Sequence, residues 1–372
     1  MRILITAISL CFGLNTAICF GAESVKIAAI FAKTGIASVQ NAPYIQMIEF
    51  GVEEINQRGG VNGNSLKLIV LDNKSTPIGS TMAAKQAVKL KVAAVVGSGL
   101  SSHSLAAAPI LQQEGIPMIT PVSTNPKVTK IGNYIFRICF IDSFQGAAMA
   151  KFAHKDLKAA TAVVLKNVDE AYSLTLGEYF TEAFINNGGK ILWEGTYRGK
   201  AVEFSDILNK TASLNPDTVY IPGYIRDSGL IIKQAKSIGL RSIFLGGDAW
   251  AEIYSYGGKA VEGSYHSAPW HPDVHYEKSV HLSRRYKQIF KKEISNTSAP
   301  LSYDAVMVLA DAIERARSFE SSKIRDALAQ TNDFPGATGK ITFDEFGDPK
   351  GKEVIILKLE NGKKTYYKSI KP

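Results

Sequence analysis

Cysteine is scarce in this 372-residue chain: there are three. Two of them, Cys11 and Cys19, fall in an apolar leader, so no internal disulfide and no cysteine metal framework can be assembled from the rest. The one left, Cys139 in the run FRICFID, reads as a buried strand residue. Long apolar runs are missing after the leader, and nothing later in the chain is expected to span a membrane. Concentrated charge is missing too. The formal +9 is spread over many lysine-bearing segments, and with no stacked-aromatic motif this argues against nucleic-acid binding; it is compatible with weak attraction to an anionic membrane. No G-x-x-x-x-G-K-[ST], H-E-x-x-H, G-x-S-x-G or C-x-x-C occurs, so there is no phosphate loop, zinc helix, nucleophile elbow or redox pair on which to build an enzyme. No enzyme activity and no cofactor are expected. His266, His271, Asp273 and His275 crowd together, but Pro269 and Pro272 break any helix that would align them on a metal. His103 follows two serines; neighbours on a helix face different ways, which points to packing rather than a Ser-His pair.

What is present starts with the leader, MRILITAISLCFGLNTAICFGAES. A charge, an apolar core and small residues near Gly21 and Ala22 predict a signal peptide over residues 1–22 and an exported chain. Ile18 is bulkier than the residue usual before a lipidated cysteine, which counts against an anchor at Cys19. The roughly 350 residues that follow exceed the size at which one core stops growing, so two domains are expected.

The most informative stretch is VAAVVGSGLSSHSLAAAPILQQEGIPMITPVSTNP, residues 92–126. A β-branched run predicts a strand buried on both faces. Gly97 and Gly99 permit a sharp turn, and Ser101 or Ser102 is placed to cap the helix that follows. After Gly115 a second short strand ends in another polar turn, Ser123-Thr124-Asn125-Pro126. In a parallel sheet both turns sit at the carboxyl ends of neighbouring strands, where open α/β folds bind ligands. Free N–H groups and hydroxyls at a helix start suit a carboxylate or phosphate. Ordinary helix capping explains the same residues equally well at this stage.

Around this stretch the pattern alternates. Strand Val25–Phe31, helix Pro43–Gln57, strand Leu66–Leu71 and helix Pro77–Leu90 precede it; Tyr134–Phe140 follows as a strand. The alternation then restarts, with helices near 144–157, 171–186, 204–214 and 227–238 between strands near 162–165, 191–197, 218–221 and 243–245. Two successive halves of this kind predict two doubly wound parallel-sheet lobes around a cleft. Beyond Asp273 two long helices, a short one, and strands at Lys340–Phe343 and Val354–Leu359 are expected.

From VKIAAIFAKTG through FGVEEINQRGGVNG, AAAPILQQEGIPMITPVSTNP, FRICFIDSFQG, VYIPGYIRDSGLIIKQAKSIGL and FLGGDAW to FDEFGDPKG, the chain resembles the branched-chain amino-acid (Leu/Ile/Val) periplasmic binding proteins, the receptors of ABC importers. The resemblance implies the type I periplasmic binding fold, α/β with a hinged cleft, and a monomer. It divides the chain into lobe 1 (23–141 and 272–349) and lobe 2 (142–271 and 350–372). It also implies a small-molecule amino acid as ligand, and an ABC permease with its ATPase subunits as partner. Ser101 and Thr124 would then hold the ligand carboxylate, with Ser123 in the same turn. Asp142, Asp248 and Tyr224 would meet the ammonium, because an ammonium offers three donors and needs acceptors.

Asp142 and Asp248 are also good helix caps, a role compatible with the other. Gln40, Leu100, Val122, Tyr172 and Trp250 are expected to wall the ligand side chain. Asp248 stands where the best-known members carry Glu, and Trp250 where they carry a small residue, so the wall leaves the preferred amino acid open. The expected ligand is aliphatic. An aromatic amino acid, an amide or a carboxylic acid on the same fold, or an exported sensory co-receptor, are the alternatives.

Overall fold

The computed structural model describes residues 24–274 and 276–372. The expected signal peptide, with Cys11 and Cys19, lies outside these residues, as does His275 of the histidine cluster.

The first sheet grows from sequences that suit burial on both faces. In β1 (Val25–Phe31), Ile27 to Phe31 are all inaccessible, as a central parallel strand requires. It is followed by α1 (Ser38–Gln57), β2 (Leu66–Asp72), α2 (Pro77–Lys89), β3 (Ala94–Gly97), α3 (Ser101–Gln113), β4 (Met118–Thr120) and β5 (Ile135–Arg137). The α2 start is capped by Thr76, whose hydroxyl accepts from Gly79 N at 2.9 Å, with Pro77 opening the helix. The order is β2-β1-β3-β4-β5, all parallel.

The second sheet is built from α4 (Asp142–Lys151), β6 (Thr161–Asn167), α5 (Ala171–Asn186), β7 (Lys190–Tyr197), α6 (Ser205–Leu214), β8 (Thr218–Ile221), α7 (Ile225–Ser237), β9 (Ile243–Gly246), α8 (Tyr254–Gly257) and β10 (Tyr265–Ala268). The chain then returns to the first sheet. There α9 (Glu277–Phe290), α10 (Pro300–Ala316) and α11 (Ser321–Ala329) complete the core on one face, together with α1. After the small hairpin β11 (Phe334–Gly336) and β12 (Gly339–Ile341), it crosses a third time and adds β13 (Val354–Glu360) and β14 (Lys363–Ile370) to the second sheet. That sheet runs β14-β13-β10-β9-β8-β6-β7, with only β13 and β14 antiparallel to their neighbours. Each sheet carries apolar clusters on both faces, the doubly wound arrangement that the alternation predicted.

Several expectations are corrected. Helix α1 begins at Ser38, five residues before Pro43, which is accommodated inside its first turns. The residue capping α3 is Leu100, without a side-chain bond, and Ser101 is the first helical residue. Likewise Asp142 and Asp248 are the first residues of their helices, capped by the backbone of Ile141 and Gly247. Strands β10 and β14 have no counterpart in the sequence reading.

Candidate functional site

The carboxyl ends of β1, β3 and β4 face those of β8 and β9 across a cleft whose two sides are in contact. Ser102 Oγ donates to Glu170 Oε2 at 2.8 Å, and Asn125 Nδ2 donates to Ala171 O at 3.1 Å and to Thr175 Oγ1 at 2.9 Å. Behind this rim lies a small cavity lined by Gln40, Tyr44, Gly99, Ser101, Val122, Tyr172, Tyr224, Asp248 and Ala249. Its residual void is about 10 Å³, room for about one water. A larger groove of about 530 Å³ opens between α1 and α10 on the first sheet's helical layer. On its α1 side Glu54 is held by Arg58 and by Tyr303 Oη, which donates to Glu54 Oε2 at 3.1 Å.

Asp248 is the acid of the cavity wall. Its Oδ1 accepts from Tyr172 Oη at 3.0 Å, its N–H donates to Gln145 Oε1 at 2.8 Å, and its carbonyl accepts from Ser298 Oγ at 3.3 Å. Gly247 makes the first contact possible, because a Cβ there would lie 2.1 Å from Tyr172 Oη. Burial pushes the Asp248 carboxyl up to about 6, against the Tyr172 hydroxyl, which pulls it down. Tyr172 stacks on Tyr224, with ring centroids 5.2 Å apart and planes 25° from parallel. Leu100 packs on Tyr224 with Ala32 and Ala37.

Asp142 stands behind this wall rather than in it. Its N–H donates to Thr124 O at 2.9 Å, and its Oδ1 is 3.5 Å from Gln145 Nε2. Gln145 therefore links the two acids. Among the described residues Asp142 Oδ2 and the neighbouring Thr124 Oγ1, both buried, make no hydrogen bond of standard geometry, and the only hydroxyl near the carboxyl is that of Thr124 itself. Burial raises the Asp142 carboxyl to about 8, the Thr124 hydroxyl opposes the rise, and the Asp248 charge adds to it.

The remaining expected residues divide. Ser101 lines the cavity and its Oγ accepts from Asn125 N at 3.4 Å; Val122, Tyr172, Tyr224 and Gln40 line it as well. Ser123 does not. Its hydroxyl donates to Ser98 O at 3.1 Å and is 2.7 Å from Ser104 Oγ, so it fastens β3 to the next turn.

Trp250 is also displaced from the expected wall. The chain from Asp248 to Glu252 is a 3₁₀ turn, so residues two apart point to different sides. Asp248 faces the cleft, while the Trp250 indole enters the core with Val163, Leu165 and Ile221. It occupies the space over Gly246, where a Cβ would meet the ring at 2.1 Å. Two residues were not anticipated. Tyr44 lies one helical turn beyond Gln40 on the same face of α1, a spacing that could have revealed it, and Gln145 joins the two acids.

Outside the cleft, His103 is buried with Nδ1 3.1 Å from Asn73 Nδ2, a packing role. His266 and His271 bond to backbone carbonyls of Ser267 and Lys364, and among the described residues no three metal-capable side chains converge. No described helix is long and apolar enough to cross a membrane.

Two doubly wound lobes joined by three crossings, with a polar cleft at facing strand ends, define a two-lobed ligand-binding fold. The family profile described as periplasmic binding protein matches residues 24–363, and the chain belongs to that family. It is 31% identical to the leucine-, isoleucine-, valine-, threonine-, and alanine-binding protein of Pseudomonas aeruginosa, over 90% of each chain. It superposes on the crystal structure of a leucine-binding protein from Thermotoga maritima with a TM-score of 0.88, at 38% identity, covering 94% of this chain and 99% of that one. A branched-chain amino acid transporter substrate-binding protein from Streptococcus pneumoniae, in complex with isoleucine, gives a TM-score of 0.89 at 27% identity, over 94% of this chain and 100% of the other. The chain is accordingly a substrate-binding protein of the ABC-transporter type, and its family is one of the periplasm.

Proposed function

We propose that the protein is an exported, non-enzymatic receptor that binds an α-amino acid of the aliphatic class between its lobes and delivers it to an ABC permease. The carrying observation is the pair of buried acids. Asp248 lines a cavity with no lysine or arginine among its lining residues, and Asp142 lies behind it with a carboxylate oxygen that makes no hydrogen bond of standard geometry among the described residues. Two such carboxyls are costly to ionise together. The buried Arg137 guanidinium, paired with Asp348, offsets only part of this for Asp142, whose carboxyl stays raised to about 8, and an amino-acid ammonium supplies a further cation.

On this reading Asp248 meets the ammonium directly, with Tyr224 and Tyr172 beside it, and Asp142 acts through Gln145. Ser101 and Thr124 offer hydroxyls to the carboxylate at the start of α3, where helix N–H groups favour an anion. Leu100 supports Tyr224 from behind, and Val122 and Gln40 complete the side-chain wall. Opening and closing at the three crossings admits the ligand, since the family is a known case of hinge closure. The closed form, a monomer, then presents both lobes to the permease and its ATPase subunits in the membrane.

The test is a thermal-shift and calorimetric comparison of leucine with 4-methylpentanoate, the same skeleton without the amine. Stabilisation by leucine alone, through mass action, supports the reading. Stabilisation by the carboxylate alone removes it, since the acids would then have no ammonium to serve.

A further inference from the structure

Building on the amino-acid reading of the cleft, we infer that Arg137, which does not line the cavity, is the positioning residue of its carboxylate end, and that Asp348 holds Arg137 in that role. Arg137 ends β5 and is fully buried. Its side chain reaches away from the strand to the turn that follows β4. Nη1 donates to Ser123 O at 2.8 Å and to Asn125 O at 3.0 Å, Nη2 donates to Thr129 Oγ1 at 2.8 Å, and Nε donates to Asp348 Oδ1 at 2.7 Å. A guanidinium is costly to bury, and the strand's own ladder uses none of these bonds. The two carbonyls it holds flank Thr124, the residue read above as a carboxylate donor.

Holding those carbonyls decides which donors of the turn stay free. Ser123 O points at the guanidinium, so in the same trans peptide the Thr124 N–H points the opposite way. The next peptide is held as well: Thr124 O accepts from Asp142 N at 2.9 Å, and Asn125 N donates to Ser101 Oγ at 3.4 Å. Among the described residues the Thr124 N–H is left without an acceptor, and the Thr124 hydroxyl makes no bond of standard geometry. Two such donors on one residue, next to Ser101 on the cavity wall, suit a carboxylate. Asp348 completes the clamp from the segment that leads into the third crossing. It is itself held, its N–H donating to Asp344 Oδ1 at 2.9 Å and its carbonyl accepting from Asp344 N at 2.8 Å. Beside it Gly347 O accepts from Arg137 N at 2.9 Å, at a φ of 80° and so close to β5 that a Cβ would lie 2.6 Å from Ile135 O. The turn, the arginine and the crossing segment thus form one unit.

The experiment is calorimetric titration of wild type, Arg137→Lys, Asp348→Asn and Trp250→Ala with leucine, and with leucinamide by displacement of leucine. Lysine keeps the charge near Asp142 but has no fork to span both carbonyls. Leucine affinity should fall about tenfold or more in Arg137→Lys and about threefold or more in Asp348→Asn. Leucinamide, which lacks the carboxylate, should hold within about twofold in both, and Trp250→Ala, altered only in the core, should bind leucine as wild type does. Unchanged leucine affinity in a folded Arg137→Lys protein, or equal losses for leucine and leucinamide, overturns the inference and leaves the amino-acid reading standing. Unchanged affinity in Asp348→Asn alone overturns the part given to Asp348. Should Arg137→Lys not fold, Asp348→Asn decides by the same comparison; should leucinamide not displace leucine from wild type, the leucine losses measured against Trp250→Ala decide. Binding of 4-methylpentanoate in place of leucine overturns the amino-acid reading itself, and Arg137→Lys is then read on 4-methylpentanoate.

Discussion

The two walls of the cleft are built from similar folds and opposite chemistry. The first-lobe wall offers neutral groups: the Ser101 hydroxyl, the buried Thr124 hydroxyl behind it and the start of α3. The second-lobe wall offers Asp248, flanked by Tyr172 and Tyr224. Both arise where a strand ends and a helix begins, so a common architecture does not decide the sign of a site. The sign is set by the one or two residues at the turn, and here it divides the cleft into a donor end and an acceptor end. A zwitterion matches that division, and an ion of one sign matches only half of it.

Four perturbations test this contrast. The largest separates wall from core on the second-lobe side. Trp250 is fully buried behind Asp248, so Trp250→Ala should cost about 3–5 kcal/mol of stability while leaving the order of ligand preference unchanged. Chemical denaturation and calorimetry read the two effects separately. Next, Asp248→Asn removes the acceptor charge and should weaken amino-acid binding by about 2–5 kcal/mol; an affinity within threefold of wild type would show that this acid does not meet the ligand.

The third perturbation is pH. Both carboxyls are raised in the folded chain, Asp248 to about 6 and Asp142 to about 8, above the usual value for an unfolded chain near 4. Their contribution to stability is therefore fully present below about pH 4. It is lost progressively as pH rises, through about 6 and then about 8. Relative to the Asp142→Asn/Asp248→Asn protein, the unliganded melting temperature should fall across that window. An ammonium prefers both acids ionised, so amino-acid affinity should rise over the same interval with release of protons. Calorimetry in buffers of different ionisation enthalpy counts them, and zero release would break the coupling. The smallest change is on the donor wall, where Thr124→Val should weaken binding by about 1 kcal/mol, and should do so for a carboxylate more than for an amino-acid amide.

Much of the fold could be read in the sequence because burial on both faces writes itself as apolar runs, as in Val25–Phe31 and Thr218–Ile221. Strand β14 escaped because KKTYYKSI lies at a sheet edge, with Lys363, Thr365 and Tyr367 exposed, and edges carry charges that mask a strand pattern. Asp248 and Ser101, singled out in the sequence because each residue type has one economical use at the start of a helix, both line the cavity. Trp250 and Ser123 misled for a shared reason: sequence distance does not give the phase of a tight turn. Trp250 lies two residues from Asp248 and Ser123 one from Val122, and each turns its side chain away from the cavity. Gln145 was missed because its role depends on bringing Asp142 and Asp248 together from 106 positions apart, which no local pattern encodes.

The third crossing has a consequence for how the molecule comes into being. Strands β13 and β14 are close to the last residues of the chain, yet β13 pairs with β10 and completes the second sheet. The helices that close the first lobe's core come only after that sheet's other strands. Neither lobe is a continuous segment, so each is completed by elements that follow the other lobe's strands in the chain. Long-range pairing of this kind is slow to form. The second lobe's sheet is thus knit last, by β13 and β14, after every other strand of both sheets is in the chain.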